Sequence, residues 1–169
     1  MAAVDRPKTK PRVPAVDGWF TLDGDDGPAL IGSRCQRCGT YSFPKQLNFC
    51  PNPACTSQDF DEVELSRHGR LWSYTNNCYQ PPAPYVPPSG GFQPFAIAAV
   101  ELEAEQMVVL GQLTAGVDVS ELHVGQDVVL VVETLFEDDE AEYLVWKWRP
   151  IEPDATSGSA PRDQETHDA

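Results

Sequence analysis

Two close pairs of cysteines, Cys35-Gln-Arg-Cys38 and Cys50-Pro-Asn-Pro-Ala-Cys55, lie eleven residues apart near the start of the chain. In the first pair, two intervening residues let both thiolates face one ion, and Gly39 tolerates the left-handed turn that aims backbone N–H groups at sulfur. The second pair is looser, with four residues between its cysteines. The link between the pairs is long enough for a hairpin that brings them together. Tyr41, Phe43 and Phe49 fall within that link and are expected to pack beside the metal. Four thiolates around Zn²⁺ leave a net charge of −2, which Arg34, Arg37 and Lys45 are close enough in sequence to offset.

A ribbon of this size cannot bury enough surface to order itself. A structural zinc supplies apparent binding free energy on the order of 10–16 kcal/mol at neutral pH, enough to drive folding. Two alternatives share the ligand set. Disulfides are the first, but no export signal is evident and intracellular thiols stay reduced. An iron centre is the second, since tetrahedral sulfur ligation suits both metals. In either metal form Cys35, Cys38, Cys50 and Cys55 close the coordination sphere. No position is left for a metal-bound water, so the site reads as structural.

The formal charge is −14 over 169 residues. Such a surface forfeits the counterion release that drives most nucleic-acid affinity. The acids concentrate at Asp23–Asp26, Asp59–Glu64, Glu137–Glu142 and the tail after Pro150, which leaves room for a local basic face at Arg67, His68 and Arg70. An ordinary solvated turn is the competing reading of that trio. No apolar run is long enough to span a bilayer. The N-terminus has basic residues without an apolar signal core, so a cytoplasmic protein with no membrane partner is expected.

Four zones follow. Residues 1–16 are polar and proline-rich and read as a flexible arm, and residues 152–169 read as a disordered acidic tail. Residues 17–65 hold a Trp19-Phe20 anchor and the cysteine ribbon. Residues 66–151 consist of strand-length apolar runs. Strands are expected at Arg70–Asn77, with Trp72 and Tyr74 on one face, at Phe95–Glu103 and Gln106–Thr114 as a hairpin, at Asp127–Leu135 and at Glu142–Arg149. In the last, Leu144, Trp146 and Trp148 share a face. One helical turn is expected within Val119–Val124. Five strands and one short helical insert suit a Greek-key barrel of the OB type, with an open sandwich as the alternative.

A catalytic set is not evident. Cys78 has no base at a telling spacing, with His68 and His123 as the only candidates outside the tail, and reads as a buried inert cysteine. No Ser-His-Asp order, P-loop or dinucleotide fingerprint occurs. The segment from Tyr79 to Pro94 is proline-stiffened and carries Tyr79, Tyr85 and Phe92. It reads either as a partner interface or as a long loop packed on its own barrel.

Trp19-Phe20, Leu30-Ile-Gly-Ser-Arg-Cys-Gln-Arg-Cys-Gly-Thr-Tyr-Ser-Phe-Pro44, the second cysteine pair, Gly69-Arg-Leu-Trp-Ser-Tyr74, Val124-Gly125 and Tyr143–Pro150 together resemble the zinc-ribbon OB-fold accessory proteins. The likeness covers about residues 17–151 and implies a rubredoxin-like zinc ribbon followed by an OB barrel. It also implies a non-catalytic subunit in a hetero-oligomer with a thiolase-superfamily or lipid-transfer-protein-like enzyme. Such a subunit docks on the catalytic chain, stabilises it and helps shape its acyl-CoA channel, in aldolase chemistry such as steroid side-chain degradation or in thiolase chemistry. Only the four cysteines transfer residue by residue. On this reading Arg67, His68 and Arg70 are candidate contacts for CoA phosphates. The runner-up is a single-stranded nucleic-acid binder, since ribbons and OB barrels both serve that role; the charge of −14 counts against it.

Overall fold

The computed structural model describes residues 10–152 apart from Asp25, Pro84, Val86, Pro88 and Ser89. Its elements in order are β1 (Arg12–Pro14), β2 (Ile31–Cys35), β3 (Tyr41–Ser42), β4 (Phe60–Glu64), β5 (His68–Asn77), β6 (Phe95–Leu102), β7 (Met107–Leu113), a single 3₁₀ turn (Val119–Glu121), β8 (Asp127–Glu137) and β9 (Glu142–Pro150). The proline and glycine punctuation between apolar runs explains why strands prevail and why the one helical segment among the described residues is a turn capped by Asp118, whose carboxylate accepts from the Ser120 N–H.

Strands β5 to β9 form a closed barrel. Antiparallel pairs join β5 to β6, β6 to β7 and β8 to β9, and β8 returns to β5 through His68↔Val129 and Arg70↔Asp127. One parallel pair, Gln112↔Lys147 and Leu113↔Trp148, connects β7 to β9. This closure, with the turn inserted before β8, is the OB arrangement expected from the strand count and excludes an open sandwich. The interior is filled by Leu71, Val100, Leu102, Val128, Leu130, Leu144 and Trp148, each fully buried. Burying a side chain of this kind contributes about 1.5–3 kcal/mol.

The expected shared face of Trp72 and Tyr74 does not form. A β-bulge between Leu71 and Ser73 shifts the register, so Leu71 pairs with Val100 and Tyr74 with Ala98, both over the core. Trp72 is left outside, 60% exposed, while the Tyr74 hydroxyl reaches the Leu122 carbonyl at 2.7 Å. An extra residue on one strand re-aims its side chain in this way. By contrast, Leu144, Trp146 and Trp148 do share the inner side of β9.

The ribbon is a separate three-stranded sheet, β3-β2-β4. It meets the barrel through aromatic rings. Trp146 stands 5.8 Å from Trp19, 5.7 Å from Phe20 and 5.7 Å from Phe43. Such edge-to-face and tilted pairs contribute about 0.5–1.5 kcal/mol each beyond their burial. The expected flexible arm also needs revision at its end. Within it, β1 pairs in parallel with β9 through Arg12↔Glu142 to Pro14↔Leu144. The pairing is fastened by the Ala15 N–H to the Leu144 carbonyl at 2.8 Å and by an Arg12–Glu142 ion pair at 3.2 Å. The first nine residues and the tail from residue 153 lie outside the described residues.

Candidate metal centre and its surroundings

Each knuckle is built by local backbone geometry. Cys35 ends β2, and its carbonyl accepts from the Gly39 N–H at 2.9 Å while its own N–H bonds the Thr40 carbonyl at 2.9 Å. Gly39 takes φ 76°, the left-handed conformation the turn requires. The longer second knuckle has no glycine. There Asn52 does the folding: its carbonyl accepts from the Cys55 N–H at 2.9 Å and its side-chain oxygen from the Ala54 N–H at 3.0 Å. An Asx turn of this type mimics a backbone turn.

The result is a cluster of the four sulfurs, all within 4.8 Å of one another. Cys35 Sγ lies 3.8 Å from Cys55 Sγ and Cys38 Sγ lies 3.5 Å from Cys50 Sγ. A tetrahedron with Zn–S bonds of about 2.3 Å has sulfur–sulfur edges of about 3.8 Å, so the donor set fits zinc. All four cysteines are free thiols, with Cys35 and Cys50 buried, Cys55 half-buried and Cys38 exposed. Zinc bound here would cross-link the two knuckles, and its closed sphere of thiolates leaves no seat for a substrate.

The sulfurs are unequal before metal arrives. The Thr40 hydroxyl, 3.2 Å from Cys38 Sγ, and the Thr40 backbone hold the Cys38 thiol down at about 6. The Cys38 backbone N–H likewise lowers Cys35. Burial pushes Cys50 up to about 12. Zinc binding at pH 7 is therefore expected to release fewer than four protons, because Cys38 is already largely thiolate. Lowering the pH through 6 protonates Cys38 as well, so affinity falls more steeply there than above pH 7. Calorimetry of zinc binding in buffers of different ionisation enthalpy measures the proton count directly; four protons at pH 7 would contradict the assignment.

Of the aromatic residues between the knuckles, Phe43 departs from the expected place beside the cysteines. Phe43 turns away to Trp146, Tyr41 lies beneath the Arg34 guanidinium at 5.6 Å, and Phe49 is 65% exposed. Of the three cations expected to offset the thiolates, Arg34 has its guanidinium beside Gly39 of the first knuckle. Arg37 donates to Thr56 at 3.2 Å and Lys45 pairs with Glu62 at 2.7 Å.

The Arg67, His68 and Arg70 trio is spread over two neighbouring clefts, with Arg67 in the first, Arg70 in the second and His68 lining both. The Arg67 guanidinium lies against Gly27, where an added Cβ would sit 2.9 Å from its central carbon. Beside it, the buried Glu105 accepts from the Ser66 N–H at 2.7 Å, tying the ribbon–barrel junction to the β6–β7 turn. His68 borders that first cleft as well and, with Arg70, lines a second one walled by Glu101, Glu103 and Asp127, where Arg70 pairs with Asp127 at 3.8 Å. Those carboxylates make a poor setting for a phosphate.

In the proline-rich segment, Tyr85 stacks on Phe95 at 6.2 Å and Phe92 packs edge-on against both, at 6.3 Å from each. Those two rings fold onto the start of β6, while Tyr79 stays 71% exposed. Tyr85 and Phe95 also wall a cleft of about 550 Å³ at the barrel mouth, together with Gln112, Thr134 and Lys147. Its volume lies within the usual range of ligand pockets. Cys78 is exposed and not buried as expected, because it lies just past the end of β5, and its thiol has the Asn76 carbonyl as partner at 3.7 Å. The hub residue Trp146 was legible as an inward-facing aromatic, but its reach to the ribbon depends on a contact the sequence does not announce.

Comparisons with known proteins agree with this arrangement. Residues 24–61 match the rubredoxin-like zinc ribbon domain of ChsH2, and residues 62–133 match the ChsH2 C-terminal OB-fold domain. The benzoylsuccinyl-CoA thiolase subunit BbsA of Geobacter metallireducens is 32% identical over 120 residues, 68% of this chain and 74% of that protein. Its namesake from Thauera aromatica is 33% identical over 86 residues, a match that spans about half of each protein, 51% of this chain and 52% of the relative. A DUF35 domain-containing scaffold protein of Methanocaldococcus jannaschii is 30% identical over 131 residues, 73% of this chain and 82% of that protein. Among solved structures, a chain of the Ltp2-ChsH2(DUF35) aldolase overlays with a TM-score of 0.57 at 28% identity, covering 81% of this chain and 98% of that one. No helix among the described residues is long and apolar enough to cross a membrane. With four sulfurs set for one ion, a ribbon leading into a closed barrel, and both halves matched, the chain belongs to the ChsH2-type family of rubredoxin-like zinc ribbon and OB-fold proteins.

Proposed function

We propose that this chain is a non-catalytic accessory subunit that docks on a thiolase-superfamily enzyme and stabilises it for carbon–carbon cleavage of an acyl-CoA. The single observation that carries the reading is the overlay, at 28% identity, on 98% of a chain from the structure named Ltp2-ChsH2(DUF35) aldolase. Two relatives named as thiolase subunits support it. The site chemistry is compatible: a closed thiolate sphere orders a docking module and leaves the base and nucleophile to the partner. The cleft walled by Tyr85 and Phe95, with the exposed Tyr79 near it in sequence, is the part of the barrel best suited to border an acyl-CoA channel. Retro-aldol cleavage and thiolysis are the two reaction classes, and a steroid side-chain acyl-CoA is the first substrate to test. The setting is the cytoplasm.

The test is purification of the tagged chain from native cells, followed by an acyl-CoA cleavage assay. A thiolase-fold subunit is expected to come out with it, and removing the chain should lower that enzyme's activity or its half-life. A chain that purifies alone, beside a thiolase-fold enzyme that works equally well without it, overturns the reading.

A further inference from the structure

On a barrel with a filled interior, outward positions of the strands face water and are normally polar. Strand β7 breaks that rule. Its inner residue Val109 is buried at 3%, yet its outward neighbours Val108 and Leu110 are also apolar and are 44% and 66% exposed. Two further exposed apolar side chains join them. The bulge in β5 turns Trp72 outward, 60% exposed, and Ser73, the next residue, pairs with Ala99, which in turn pairs with Leu110. On the other side of β5, the Gly125 N–H bonds the Leu71 carbonyl and the Leu71 N–H bonds the Gln126 carbonyl, both at 2.8 Å. That ladder carries Val124, 66% exposed, alongside Trp72. Exposed apolar side chains therefore cross the barrel from Val124 and Trp72 to Leu110 and Val108, on either side of the buried Ala99.

Such a strip is more than the scattered apolar exposure of an ordinary surface. An exposed tryptophan flanked by aliphatic side chains is the composition of an interface centre. The rim identifies the occupant. Glu101, opposite Val108, and Glu103 and Glu121 nearby are exposed acids, while Arg70 is already paired with Asp127. Two copies of this chain, each of formal charge −14, would set those acids against one another. The strip calls for a different chain with an apolar centre and a basic rim.

We infer that this outer face, formed by Trp72, Val108, Leu110 and Val124, is the surface by which the chain docks on its catalytic thiolase-fold subunit. The inference rests on the accessory-subunit reading and specifies the face that serves it. It is tested with the full-length chain and the thiolase-fold subunit that co-purifies with it. Leu110→Glu and Val124→Glu each place a charge in the strip at an exposed position, so the fold is kept and zinc content and circular dichroism should be unchanged. Phe49→Glu adds the same charge at the ribbon tip as a control. The expected result is a dissociation constant weakened about 100-fold or more for the two strip variants, with the control within about threefold of wild type. Hydroxyl-radical footprinting of the wild-type complex, which needs no variant, should show Trp72 protected.

Three results overturn the inference. Strip variants that bind like wild type while Trp72 stays reactive in the complex leave the accessory role intact and place the interface elsewhere. A wild-type homodimer that Leu110→Glu dissolves assigns the strip to a second copy. A wild-type chain that captures no thiolase-fold subunit removes the accessory reading, and the docking face falls with it.

Discussion

Removing the metal will melt the ribbon and leave the barrel standing. Strands β2 and β4 have five residues each and β3 has two, too little to offset the backbone entropy of ordering them. What holds them is the thiolate cluster, where a bound zinc contributes on the order of 10–16 kcal/mol. The barrel has its own fully buried core, including Leu71, Val100, Leu130 and Trp148, and its ring of strand pairs closes without the ribbon. Chelation, or Cys50→Ser, should therefore abolish amide-exchange protection over Ile31–Cys35 and Phe60–Glu64 while amides of β6 and β8 keep theirs. Cys50 is the sharpest choice because it is buried, so no water can readily replace the lost thiolate. If the barrel amides lose protection in the same step, the Trp146 cluster couples the two halves into one folding unit. A ribbon that stays protected without metal would contradict the structural role of zinc.

What could be read from sequence here follows from the range of the interactions. The ligand set is local: two residues between Cys35 and Cys38, and a glycine after them, state their own geometry. Alternation in β9 is also local, and Leu144, Trp146 and Trp148 point inward as their spacing requires. Barrel closure was implied by strand count and family resemblance and needed the β8–β5 pairing to establish it. Most of the misplaced features depend on partners far along the chain. The bulge that sends Trp72 outward is defined by its register against β6, and a pattern of period two cannot show it. Arg12–Pro14 reads as free chain in the sequence because its strand partners, Glu142 to Leu144, lie far along the chain on β9. Arg67, His68 and Arg70 are neighbours in sequence, but Arg67 faces the ribbon junction and Arg70 an acidic outer cleft, with His68 bordering both. The exposed Cys78 could not be told from a buried one, since a lone cysteine carries no period.

Trp148→Ala should be the most damaging single change in the barrel, at about 3–5 kcal/mol. Its ring is fully buried and lies over Gly111, where an added Cβ would come within 2.8 Å of two indole atoms. Natural domains hold only about 5–15 kcal/mol in total, so the loss would remove a large fraction of stability. The aromatic body matters here and the indole N–H does not: Trp148 Nε1 is buried with no hydrogen-bond partner among the described residues. A buried donor left unpaired costs about 1–3 kcal/mol, and Trp148→Phe relieves that cost while keeping a ring on Gly111. Phenylalanine should thus cost no more than about 2 kcal/mol despite its smaller volume. Urea denaturation of the zinc-loaded protein compares the two through the midpoint at constant slope. Equal losses for Phe and Ala would show that the indole N–H is bonded after all. The same contact makes a coupling prediction. Gly111→Ala should destabilise the wild type, because its methyl meets the ring, but do little or even help in the Trp148→Ala background, where the methyl enters the vacated space. A double-mutant cycle with no coupling between positions 111 and 148 would mean that the ring does not rest on that glycine.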